Sequence, residues 1–92
     1  MKKIELYVND HLSAIDTILD DRKIRAIEFR LGINDCDTAQ EIENYFYELE
    51  EKKCFLGAKY DKYVSHKEYW LFYFYDRNGL HNDYHLLISK TE

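Results

Sequence analysis

Asn78-Gly79 stands between two runs rich in aromatic and β-branched residues, Tyr69 to Asp76 and Leu80 to Lys90. A two-residue Asn-Gly connection follows the twist of antiparallel strands, because both residues tolerate the positive φ of a type I′ turn. The spacing predicts a C-terminal β-hairpin, and with it a sheet that needs cover on at least one face. A two-residue loop pairs Arg77 with Leu80, Asp76 with His81, Phe74 with Asp83, Phe72 with His85 and Trp70 with Leu87. Trp70, Phe72 and Phe74 then share one face, and Tyr69, Tyr73, Tyr75 and Tyr84 the other. Helices on one side of a sheet use only one such face for a core. The tyrosine face is therefore expected to be partly exposed, packed on a partner, or used for a homodimer.

Upstream, Ile4, Tyr7, Val8, His11, Leu12, Ile15, Ile18 and Leu19 fall in one arc of a helical wheel, which predicts a helix over 3–21. Arg25 to Ile33 alternates Ile27, Phe29, Leu31 and Ile33 with Glu28, Arg30 and Gly32, which reads as a strand, with a short helix as the alternative. Asp37 with Gln40 and Thr38 with Glu41 form overlapping capping boxes that start a second helix, ending near Lys53. Its buried stripe is Ala39, Ile42, Phe46 and Leu49. A strand is expected at Cys54 to Tyr60. The order is αβαβββ: a single α+β domain over 1–92, with two helices packed on a small antiparallel sheet. Ile15, Leu19, Phe29, Ile42, Phe46, Leu49, Leu71 and Leu86 are the expected core.

Ninety-two residues hold one core, not two. Two cysteines, Cys36 and Cys54, without C-x-x-C spacing are too few for a disulfide framework, so reduced thiols are expected. Charged residues interrupt the N-terminus before any run long enough for a signal peptide or membrane span, which makes a cytoplasmic protein without membrane contact the expectation. With 13 basic and 18 acidic residues the net charge is −5, which argues against nucleic acid as a direct ligand.

No assembled active site is legible. Neither cysteine neighbours a histidine, and Ser13, Ser65 and Ser89 sit in no nucleophile motif. No glycine-rich phosphate loop is present, and Asn34-Asp35-Cys36-Asp37 lacks the spacing of a calcium loop. His81, Asp83 and His85, with Asp76, offer metal donors on the hairpin tip. Same-face neighbours on a strand stand ~7 Å apart, however, so a solvated tip is the better reading. The expectation is no enzyme, no cofactor and no metal.

Charge order is the most informative functional feature. Asp35, Asp37, Glu41, Glu43, Glu48, Glu50 and Glu51 give seven acids and no Lys or Arg over 35–51, while five lysines lie in 52–67. Such a single-sign field on one helix steers association with basic surfaces. Glu41, Glu48 and Glu51 share the side away from the buried stripe, and Tyr47 adds an aromatic contact. The partner-binding residues are thus expected to be the seven acids and Tyr47, with Tyr69, Tyr73, Tyr75 and Tyr84 as a second surface. The function that fits is a protein-binding inhibitor that occupies a basic, nucleic-acid-binding groove. Phage anti-defence proteins, anti-CRISPR inhibitors among them, use this strategy, as do acidic immunity proteins and antitoxins. A winged-helix-like DNA-binding regulator is the alternative, should 22–31 be helical.

Overall fold

A computed structural model describes residues 1–76, 78, 79 and 81–91. In chain order its elements are β1 (Ile4–Val8), β2 (His11–Ser13), a 3-10 turn (Ile15–Thr17), α1 (Ala26–Asn34), α2 (Ala39–Glu51), β3 (Lys59–Ser65), β4 (Tyr69–Tyr75) and β5 (Tyr84–Ser89). The strands form one antiparallel sheet in the order β2-β1-β5-β4-β3. Both helices pack on one face of it, where Ile4, Leu6, Trp70, Phe72, Phe74, Leu86 and Ile88 meet Phe29, Ile33, Ile42 and Phe46. The α+β class, the two-helix layer and the order α-β-β-β from Ala39 onward agree with the sequence reading.

The first two elements differ from it. Residues 3–21 form a hairpin and a 3-10 turn in place of a long helix. Ile4 and Leu6 are buried while Glu5 and Tyr7 are only half so, a period of two that the helical wheel hid. Val8 pairs with His11 across Asn9-Asp10, and both loop residues have positive φ, 52° and 65°. This is the turn geometry for which Asn and Asp are tolerated. Residues 26–34 are helical. Four apolar residues spaced by two are also two pairs spaced by four. Phe29 and Ile33 face the core, whereas Ile27 and Leu31 are 65% and 50% exposed.

Helix α2 starts at one of its two expected capping boxes, Thr38 with Glu41, while Gln40 turns to Glu43 and Asn44 and not back to Asp37. Thr38 Oγ1 accepts from the Glu41 amide at 3.2 Å, and the Asp37 amide donates to Glu41 Oε2 at 3.4 Å. At the other end the Cys54 amide donates to the Leu49 carbonyl and the Lys53 amide to that of Glu50. That pair of bonds is a Schellman cap, with Lys53 at φ 58° in the position glycine usually takes. Gly32 in α1 leaves room for Tyr45, whose ring would come within 2.6 Å of a Cβ there. The third strand begins at Lys59, later than expected, and Phe55 instead forms an isolated bridge to Leu19.

The C-terminal hairpin pairs as expected in kind, but with a shifted register. Gly79, at φ 70°, donates to the Asp76 carbonyl at 3.0 Å, and the Asp76 amide donates to His81 at 2.9 Å. The expected pair Arg77 with Leu80 lies outside the described residues. Farther along, Phe74 faces Tyr84, Phe72 faces Leu86 and Trp70 faces Ile88. Between the Asp76–His81 contact and the Phe74–Tyr84 pair, β4 has one residue and the other strand two, Asn82 and Asp83. This one-residue slip turns Tyr84, Leu86 and Ile88 inward and His85 and Leu87 outward. The shift places Leu and Ile over the core where the unshifted register would put Asp83 and His85. Leu71, expected in the core, lies on the outer face; the other seven expected core residues are buried.

Candidate protein-binding surfaces

Phe46 projects from α2 into the centre of the core, with ring centroids 5.1 Å from both Phe72 and Phe74 and 5.5 Å from Tyr60. One residue on, the same helix turns Tyr47 outward, 49% exposed and edge-on to Tyr60 at 5.3 Å. Tyr60 is buried, and its hydroxyl donates to Glu43 Oε2 at 2.5 Å while its amide donates to Glu50 Oε1. Burial, then the hydrogen bond to Glu43, raises the Tyr60 phenol far above its ordinary range. A β-bulge at Asp61 allows both Tyr60 and Tyr63 to face the helices.

The acids of 35–51 therefore do not act as one undivided row. Glu43 and Glu50 hold Tyr60. Glu41 completes the cap, and Glu48 pairs with Lys52 at 2.8 Å. Asp35, Asp37 and Glu51 are exposed, with side chains that make no hydrogen bond or ion pair among the described residues. Glu41, Glu48 and Glu51 do share the solvent side, but two of the three make contacts within the chain.

Two acids from outside the segment extend this surface. Desolvation, followed by the carboxylates of Glu43, Glu50 and Asp61, raises the pKa of the Tyr47 phenol, so Asp61 adds to the negative field that the helix acids set up there. A groove of about 800 Å³ runs from Tyr47, Glu50 and Glu51 past Phe55 to Asp76 on the hairpin, with Lys53 and Lys59 also lining it. Asp61 and Asp76 sit among lysines or aromatics in the chain, so a charge count along the sequence misses them.

On the outer face, Tyr69, Leu71, Tyr73 and Tyr75 are half-buried on β4, beside Tyr7 and Leu87, with Val64 39% exposed. Leu12, paired with Tyr7 on β2, is 65% exposed. Tyr84 does not belong to this face: the register shift packs it against the core. His85 takes its place, edge-on to Tyr73 at 4.7 Å, with Nε2 3.1 Å from the Asn82 carbonyl. His81, Asp83 and His85 do not converge; among the described residues no three of His, Cys, Asp and Glu are placed to share an ion. Cys36 and Cys54 are buried free thiols, and no helix among the described residues is long and apolar enough to cross a membrane.

No protein family, curated protein or solved structure matches this chain.

Proposed function

We propose that the chain is a non-enzymatic protein-binding inhibitor whose acidic surface occupies a basic, nucleic-acid-binding groove on a target protein. This is the physical strategy of phage anti-defence proteins, including anti-CRISPR inhibitors, and of acidic immunity proteins and antitoxins. One observation supports the reading most: the half-exposed Tyr47 lines one groove with Glu50, Glu51 and Asp76, whose carboxylates outnumber its two lysines, Lys53 and Lys59. Aromatic area at the centre of a charged surface is the pattern of a binding hot spot. Such a protein requires no cofactor and acts in the cytoplasm, where its targets hold nucleic acid.

The DNA-binding alternative gains a structural element and loses on charge. α1 and α2 do follow each other as two helices joined by a turn at 35–38. The exposed face of α2, however, presents Gln40, Glu41, Asn44, Tyr47, Glu48 and Glu51. Phosphates would meet carboxylates there.

The test uses Asp35→Asn, Asp37→Asn and Glu51→Gln combined, since none of these side chains supports the fold. The partner is captured from the native host on the immobilised chain, purified, and its association rate measured from ~50 to ~500 mM salt. The rate should fall with salt, and the triple variant should associate about tenfold more slowly at low salt with dissociation little changed. Equal association of wild type and variant at low salt contradicts the reading. A low-salt gel shift of duplex DNA by the purified chain would favour the helix-turn-helix alternative in its place.

A further inference from the structure

We propose that the outer face of the sheet docks a second copy of this chain, forming a weak two-fold dimer that is independent of the acidic surface. Among the described strand residues this face carries Tyr7, Leu12, Val64, Tyr69, Leu71, Tyr73, Tyr75 and Leu87, while both helices lie on the other side. A sheet face with Leu71, Leu87 and three tyrosines around His85 at its centre, and with neither described helix upon it, is a surface for association.

Charge selects the occupant. Among the strand residues of this face Glu5 on β1 is the one carboxylate, and Lys59 and Lys62 stand at the β3 edge. A strongly basic partner is disfavoured by those lysines. A molecule of net charge −5 can approach its own copy here without bringing acidic helices together. Face-to-face packing makes a helix-sheet-sheet-helix stack with layers ~10 Å apart, so the two α2 helices stay on its outsides, well beyond the ~8 Å screening length.

The same charges orient the pair. A two-fold axis parallel to the strands, between β4 and β5, lays β3 of each copy over β1 of the other. Lys62 then lies over Tyr7 of the other copy, two residues along β1 from Glu5, a diagonal that its long side chain can span, and the bridge of Glu5 to Lys3 in its own chain uses only Oε1. Leu71 of each copy lies over Leu87 of the other. An axis running across the strands would lay β3 over β3, keeping Lys59 and Lys62 of both copies along one edge and away from Glu5. Four strands ~4.8 Å apart and ~20 Å long give roughly 400 Å² of flat face. That is well under the ~800 Å² per partner of a stable interface, so the dimer is expected to dissociate in the micromolar to millimolar range.

Sedimentation equilibrium of the full chain from ~10 μM to ~1 mM tests this, because the midpoint lies inside that span. The wild-type mass should climb from 11.2 kDa toward twice that value. Leu71→Glu places carboxylates in the apolar centre and should raise the dissociation constant ~100-fold, with circular dichroism confirming the fold. Lys62→Glu should weaken the dimer, and adding Glu5→Lys should restore it. The variant combining Asp35→Asn, Asp37→Asn and Glu51→Gln should dimerise as wild type does, which separates this inference from the proposed function. A mass of 11.2 kDa throughout, dimerisation by Leu71→Glu equal to wild type, or no rescue by the charge exchange would each overturn it.

Discussion

On the helix side of the sheet Trp70 keeps 8% of its surface and Phe72 and Phe74 none, whereas Tyr69, Leu71, Tyr73 and Tyr75 alternate with them on the same strand and remain half-open. The two faces divide the aromatic residues by chemistry. All five phenylalanines of the chain are buried. Of the tyrosines only Tyr60 is, and its hydroxyl is satisfied by Glu43. A ring with a hydroxyl stays where water or a carboxylate can reach it, and a ring without one goes inside. The covered face makes the fold, and the uncovered tyrosines stay at the surface without contributing to the core.

The largest effect that would break this distinction is at Phe46. Truncation to Ala removes a ring packed against Phe29, Phe55, Tyr60, Phe72 and Phe74 and should cost about 3–5 kcal/mol in denaturant unfolding. Next is Tyr60→Phe, which strips the hydroxyl from Glu43 and should cost about 1–2 kcal/mol.

Tyr60 also fixes an alkaline limit. Its pKa in the folded chain is raised, as is that of Tyr45, pushed up to about 12 by burial and then by Glu48. A neutral phenol preferred by the folded state contributes stability fully below the ordinary value of 10 and loses it as pH rises above 10. Thermal melts from pH 8 to 12 should show that decline, and Tyr60→Phe should make it shallower. A decline of equal slope in the variant would remove Tyr60 from the account.

Lys53→Gly relieves a left-handed lysine at the end of α2 and should raise stability by about 0.5–1 kcal/mol. The smallest effect belongs to the open face. Leu71→Ser should change stability by less than about 1 kcal/mol, against several for Phe46. If the two prove equal, the outer face is core, and the contrast between faces fails.

The legible parts of the molecule were those carried by local chemistry. Thr38 with Glu41 named the start of α2, and Ala39, Ile42, Phe46 and Leu49 its buried side. The alternation of β4 named its two faces. The N-terminal elements were lost because a short chain segment satisfies two periods at once. Ile4, Tyr7, Val8 and His11 fit a helix, Ile4, Leu6 and Val8 a strand, and only pairing with β5 decides between them. Asn9-Asp10, a turn pair in plain view, was the available signal. The register of β5 was not local either: Asn78-Gly79 implied a two-residue loop, while the need to keep Asp83 and His85 off the core added a residue. In the candidate site the helix acids were readable, but Asp61 and Asp76 join them only through the fold.

Both faces can be read at once by hydroxyl-radical footprinting of the tyrosines with and without the captured partner. Docking through the acidic surface requires that Tyr47 become protected, that Tyr69, Tyr73 and Tyr75 keep their reactivity at concentrations where the chain is monomeric, and that buried Tyr60 stay unreactive throughout. Protection of Tyr69, Tyr73 and Tyr75 with Tyr47 unchanged would contradict it, and would move partner binding from the acidic helix to the open sheet.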